Sequence, residues 1–395
     1  MPEVAFSFTI PSLHDDAVLD CRVYLPSSRI RAEHASRSDI LGAVMAHPYA
    51  PVGGCYDDPV VLGAVEELLR QGCFVGTFNF RGVYGGNGRT SWTGKPEIQD
   101  YISFAGFFAH YLDLVQQAIP SNPSMPVTPS QLHPESAVDP KLQSAQDLRP
   151  PFKLILGGYS YGSVIVTRLP PLRDMLSGFR HPEDGTAASE ILQRARTISS
   201  WTIEKVEAAR RANARRLTPS ITMGGEETPS DQRRVSREGG GHSLDLEGLR
   251  RSLDIPRRIK EHRSHTRSRE HTPSSTEKSD HDDEDMPSIK VQYLLVSPVL
   301  GIVGSALSAF GAHGDPADVK TTLAKEPTLA VYGDKDIFTS TRKVRQWAQR
   351  LSSNSDRFWA VEVNGAGHFW RERGVTAKLR SAIESWVTKL QAASR

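Results

Sequence analysis

The sequence predicts an α/β protein, with a mostly parallel central sheet and helices on both faces. Three observations carry this. Short, largely apolar runs such as Ile40–Ala46 and Cys73–Phe80 suit strands buried on both sides of a sheet. Segments of helical period alternate with them, which is the rhythm of βαβ units and parallel pairing. A third run, Lys153–Gly157, breaks off at Gly158-Tyr159-Ser160-Tyr161-Gly162, a G-x-S-x-G pattern where a strand turns sharply into a helix over Ser163–Arg168.

Val4–Ile10 and Val18–Leu25 alternate apolar and polar residues, as strands at a sheet edge do. Pro26–Ser38 is a polar loop before strand Ile40–Ala46, which ends at His47-Pro48 and a glycine-bearing loop. Asp57 or Asp58 is placed to cap a helix whose apolar positions Val60, Val61, Ala64, Val65, Leu68 and Leu69 follow the helical period. Strand Cys73–Phe80 leads into the Gly-rich loop 81–88, and Pro96 opens a long helix that reaches Ala118. Residues 119–151, rich in Pro, Ser and Gln, read as a surface insertion.

Beyond the Ser160 helix, Ala187–Arg216 has helical composition with many arginines. Residues 217–287 carry almost no apolar periodicity and cannot offset their ordering entropy by burial, so disorder is expected there. Order resumes with strands Ile289–Val296, Thr328–Tyr332 and Phe358–Val363, and helices Ser340–Leu351 and Thr376–Ala393. The domain map is a first core part at 1–176, an insertion at 177–287 with candidate lid helices before the disordered segment, and a second core part at 288–395. Ser160 follows the fifth strand, with three still to come.

The totals bound the rest. The chain has 395 residues, 38% of them apolar, and a net charge of +2 that points to no polyanionic partner. A mean hydropathy of -0.40 averages an ordinary pair of flanks with a very polar middle. Cys21, Cys55 and Cys73 are odd in number and form no C-x-x-C pair, which fits a reduced compartment without a disulfide framework. The N-terminus shows no basic stretch followed by an apolar core, so a cytoplasmic location without a secretory signal is expected. Val291–Ala312 is apolar but broken by Ser297-Pro298, Gly301 and Gly304, and reads as a buried strand followed by a loop or short helix, not a membrane span.

A serine hydroxyl needs a base to take its proton, and that base needs a carboxylate to hold its tautomer. On a strand–turn–helix elbow the order along the chain is Ser, acid, His. Tyr332-Gly333-Asp334-Lys335-Asp336 follows one late strand and Val363-Asn364-Gly365-Ala366-Gly367-His368 the next, so Asp334 or Asp336 and His368 sit where such groups gather, at the strands' carboxyl ends. Two backbone N–H groups must face the developing oxyanion. Tyr161, after the nucleophile, supplies one; the loop after the third strand supplies the other, from Tyr49 or, second, Ala50.

Five stretches carry a resemblance: His47-Pro48 with Gly53-Gly54; Phe78-Asn79-Phe80-Arg81-Gly82-Val83; the Ser160 elbow; Gly333-Asp334-Lys335-Asp336; and Gly367-His368-Phe369. Together they resemble the small α/β-hydrolase superfamily proteins whose loop reads HP-x-P-x-x-GG. The resemblance implies Ser160 as nucleophile, Asp336, the second Asp of its turn, as acid, and His368 as base. It also implies a structural role for Arg81. Tyr49-Ala50 departs from the family's His-Pro, and the insertions are extra.

Other patterns point less far. Gly85-Gly86-Asn87-Gly88 lacks the Lys-Ser/Thr of a phosphate loop. The carboxylate run from Asp280 to Asp285 reads as solvated, and the arginines between Arg250 and Arg269 lack interleaved aromatics, so nucleic acid is not expected. Arg233-Arg234-Val235-Ser236 suits a basophilic kinase, and residues 217–287 are the place for a protein partner. The reading is a serine hydrolase that cleaves an ester, thioester or amide of a small-molecule acyl substrate through an acyl-enzyme, with no metal or organic cofactor. The alternative is a non-catalytic scaffold that uses its insertion as an interaction arm.

Overall fold

Among the described residues, eight strands form one sheet in the order β1-β2-β4-β3-β5-β6-β7-β8. They are β1 (Phe6–Pro11), β2 (Val18–Tyr24), β3 (Leu41–Ala46), β4 (Phe74–Phe78), β5 (Phe152–Tyr159), β6 (Ile289–Val296), β7 (Thr328–Lys335) and β8 (Phe358–Gly367). β2 runs antiparallel to both neighbours, and β3 through β8 are parallel. The computed structural model describes residues 1–27, 40–118, 151–217, 288–300, 322–353 and 355–393. The expected surface insertion (apart from Pro151), residues 218–287 with the kinase-like, acidic and basic stretches, and the apolar residues 301–312 lie outside that set.

The helices divide between the two faces. On one, α1 (Pro59–Arg70) and α7 (Val375–Ala392) bury Val61, Ala64, Leu68, Leu379, Ile383 and Val387 against the sheet. On the other lie α2 (Lys95–Ala118), α3 (Tyr161–Val166), α4 (Leu172–Ser177), α5 (Ala187–Leu217) and α6 (Thr341–Ser352). Of the two candidate caps for α1, Asp58 is the one used: its Oδ1 accepts from Val60 N–H at 2.8 Å, with Pro59 behind it. Asp57 instead pairs with Arg22. Among the described residues, no helix is long and apolar enough to cross a membrane.

One expectation needs correction. Residues 177–217 were expected in an insertion with lid helices, but α5 packs on α2 and β1 as part of the core. Ala188, Ile191, Ala195 and Ile198 are buried in it, and the Thr202 hydroxyl meets Tyr111 Oη at 3.0 Å. Those five positions step by three and four residues, a complete helical stripe. The arginines on the outer face diluted it in the sequence. All described residues fall in one compact unit, so the boundary at 176 divides nothing.

Truncating Ile198 to alanine should therefore cost about 2–4 kcal/mol in denaturant unfolding, the usual range for a buried aliphatic side chain. Glu190→Ala on the exposed face should cost less than about 0.5 kcal/mol. Equal small effects would detach α5 from the core.

Candidate active site

β5 carries the chain up to Tyr159, and Ser160 then adopts φ 54° and ψ -113°, a conformation that a residue with a Cβ reaches only under constraint. Its N–H donates to Val296 O at 2.9 Å, at the end of the neighbouring strand, while its own carbonyl accepts from Ser163 and Val164 N–H. The glycines on either side are required by space. A Cβ on Gly162 would stand 2.7 Å from Ala46 O, and one on Gly158 would collide with the Gly162 backbone. The turn therefore presses the start of α3 against the end of β3, with Ser160 at the crest.

Ser160 Oγ lies 2.8 Å from His368 Nε2, and His368 Nδ1 lies 2.6 Å from Asp336 Oδ2. Asp336 Oδ1 accepts two backbone N–H bonds, from Phe338 at 2.8 Å and Thr339 at 3.1 Å. With one oxygen so occupied, the other is left to accept from Nδ1–H, which turns the Nε2 lone pair toward the serine. His368 is 4% exposed. Asp334, the other carboxylate the sequence left open, does not touch the imidazole. Its Oδ1 takes Gly365 N–H at 2.6 Å and its carbonyl takes the Thr341 hydroxyl, fastening the turn that leads to His368.

Two supports were missed in the sequence. Tyr159 Oη donates to His368 O at 2.8 Å, anchoring the histidine's backbone from within the elbow, and burial pushes its phenol pKa well up. Trp370 Nε1 donates to Ser297 Oγ at 3.0 Å, tying the histidine turn to the end of β6. No local pattern marks either pair. The Asp336 bonds, by contrast, are local, an Asx turn onto the N–H groups two and three residues on.

On the β3 side, Tyr49 precedes a single 3₁₀ turn, Ala50–Val52, and its ring meets the Tyr161 ring edge-on at 5.1 Å. Tyr161 opens α3, so its N–H has no intrahelical acceptor. His47 is fully buried beneath this loop. Its Nε2 must accept, because the partner is Phe80 N–H at 2.8 Å; its Nδ1 must donate, because the partner is Pro48 O at 2.6 Å. Burial lowers its pKa to about 4, which keeps this neutral tautomer in place. Arg81 is buried in a fork with Asp100 (2.6 and 2.9 Å), Asp15 and Ser12, and the Arg81 side-chain bond holds Asp15 below its usual pKa. It ties the loop after β4 to α2 and to the β1–β2 turn.

An eight-stranded sheet with an antiparallel second strand, this strand order, and a serine elbow after the fifth strand decide the architecture. The fold is that of the α/β-hydrolases. No protein-family model and no curated protein matches the chain. Among solved structures it is similar to an α/β serine hydrolase homologue from Coxiella burnetii, at 14% identity and TM-score 0.43, over 98% of each chain. It is also similar to a serine hydrolase without a lid from Xanthomonas campestris, at 15% identity and TM-score 0.43, over 99% of this chain and 96% of that one. A Pyrococcus furiosus esterase matches at 10% identity and TM-score 0.43, over 98% and 92%. Likeness at this level is weak, and the sheet order and elbow carry the fold by themselves.

Because His47 is neutral when folded, its ring nitrogens should hold the Nδ1–H pattern down to about pH 5 in ¹⁵N-correlated NMR spectra, far below an ordinary imidazole's pKa of about 6.5. The sign for stability follows: the unfolded chain takes up this proton first as pH falls from about 6.5 toward 4, so that interval is destabilising. A His47 ring that titrates near 6.5 would contradict the buried geometry.

Proposed function

We propose that the protein is a serine hydrolase that cleaves a carboxylic ester, thioester or amide through an acyl-enzyme. The observation that carries this is the continuous line Ser160 Oγ–His368 Nε2–His368 Nδ1–Asp336 Oδ2, at 2.8 and 2.6 Å, in a buried setting. His368 takes the Ser160 proton as Oγ attacks the acyl carbon, and Asp336 holds the tautomer and stabilises the imidazolium. The N–H groups of Tyr161 and Tyr49 are assigned to the oxyanion, with Ala50 N–H the second choice for the latter. His368 then protonates the leaving group, and a water activated by the same nitrogen releases the acid. Every step uses side chains and backbone groups of this chain with a small-molecule acyl substrate.

A fluorophosphonate probe tests the reading, since it reacts with an activated serine. The wild-type protein should be labelled and Ser160→Ala should not. No labelling of the wild type would favour a non-catalytic scaffold.

The two aspartates give a second test. Asp336→Asn presents an N–H₂ to Nδ1 and so favours the wrong tautomer, which is worth up to about 10⁴-fold in turnover in serine triads. Asp334→Asn keeps a carbonyl oxygen for Gly365 N–H and should lose about tenfold or less. Equal losses in the hydrolysis of a p-nitrophenyl ester would assign the acid wrongly.

A further inference from the structure

Phe338 and Phe369 are large apolar side chains that stand exposed beside a buried imidazole. Phe338 is 54% and Phe369 46% exposed. The Phe338 ring centroid lies 4.5 Å from that of His368, the Phe369 centroid 5.5 Å from it, and the two phenyl rings meet edge-on at 5.8 Å. Neither position is accidental. Phe338 N–H is held by Asp336 Oδ1 at 2.8 Å, so its ring is referenced to the acid. Phe369 is turned outward by the bend in which Trp370, at φ 53°, goes inward to meet Ser297.

Exposed aromatic surface costs free energy in water unless something covers it, and chemistry says what passes here. In acyl transfer the Ser160 Oγ–carbon bond forms, the carbon–oxygen bond to the leaving group breaks, and the proton from Oγ travels through His368 Nε2 to that departing oxygen. The departing oxygen must therefore come within hydrogen-bond reach of Nε2. The substituent on it then lies against the groups that flank the imidazole. Among the described residues, the exposed rings there are those of Phe338 and Phe369, the latter with the Arg371 guanidinium 5.3 Å from its centroid, while the Tyr159 ring, 5.8 Å from the imidazole, is buried.

Resting on the serine-hydrolase reading above, we propose that Phe338 and Phe369 form an aromatic platform for the leaving group, which makes the site selective for aryl esters over esters of small alcohols. A ring stacked or edge-on against this pair gains contact energy beyond the area it buries, and a methoxy group has no ring with which to gain it.

The test uses two phosphonate probes that share one alkylphosphonyl group and differ in what leaves, fluoride or 4-nitrophenoxide. Intrinsic reactivity cancels when the aryl-to-fluoride rate ratio of each variant is divided by that of the wild type. Phe338→Ala and Phe369→Ala should each lower the ratio several-fold, and the pair together about tenfold or more. Phe338→Tyr should restore it. The ratio of kcat/KM for phenyl acetate over methyl acetate should fall in step. Should the ratios stay within about twofold of the wild type while Ser160 still takes the fluoride probe, the platform is wrong and the hydrolase reading stands. Should the wild type react with neither probe, the hydrolase reading fails and takes the platform with it. Both rings are half-exposed, and Phe338→Leu, which keeps bulk but no ring, replaces any alanine variant that fails to fold; it should lower the ratio as alanine does.

Discussion

The strained backbone at Ser160 is the constraint on which the rest of the structure depends. A non-glycine residue in this region costs on the order of 1–3 kcal/mol and persists only when its surroundings over-determine it. Here they do. Ser160 N–H is held by β6, its carbonyl by the first turn of α3, and its flanks are glycines packed against backbone. This works only if β5 is central, with β3 on one side to receive Gly162 and β6 on the other to supply Val296 O. The absence of a Cβ at both glycines is what lets the pieces close, with Gly162 against the backbone carbonyls of Ala46 and His47. The serine is thereby presented at the carboxyl edge of the sheet, where the turns after β7 and β8 bring their own side chains.

How much of this was legible follows from the range of each interaction. The elbow and the Gly-rich turn before His368 are local, and local residues reveal them. The sheet was legible because parallel strands are apolar on both faces. The choice between Asp334 and Asp336 was not: two carboxylates two residues apart are chemically equal, and only the extended β7–β8 pairing, with its irregularity between Gly333 and Lys335, sends one to the Gly365 N–H and the other to the imidazole. Resemblance to a family favoured Asp336, while the residues by themselves left both open. α5 was misread for the opposite reason. Its buried stripe is regular, but three of its five positions are alanine or threonine, and the segment carries many arginines.

Below the site, two buried polar side chains, Arg81 and His47, are each fully partnered. Arg81 would be costly in the interior alone, and its fork with Asp100 and Asp15 offsets that cost. His47 satisfies the same requirement without charge, by donating to one loop and accepting from another. Both residues fasten the ends of β3 and β4, one strand away from the elbow. Rigid loops at this edge matter because an oxyanion site depends on donors held in place before reaction. Tyr49 packs its ring edge-on against Tyr161 and so couples that loop directly to the first residue of α3.

The two aromatic pairs around Ser160 face different demands. Tyr49 and Tyr161 carry the N–H groups proposed to bind the oxyanion, and that half of the site would do the same work in both halves of an acyl-enzyme cycle. The half beside His368 does not. If acylation proceeds as proposed, the space against Phe338 and Phe369 first holds an apolar group bonded to the departing oxygen and then a water that the same Nε2 must activate. A closed apolar pocket would serve the first step and obstruct the second, because expelled water returns to such a cavity only at a cost. Half-exposed rings on an open rim meet both demands: they offer contact area while the leaving group is present and leave Nε2 within reach of solvent once it has gone. The exposure of Phe338 and Phe369 is then a condition of turnover, and it explains why two phenyl groups beside a buried imidazole are not themselves buried.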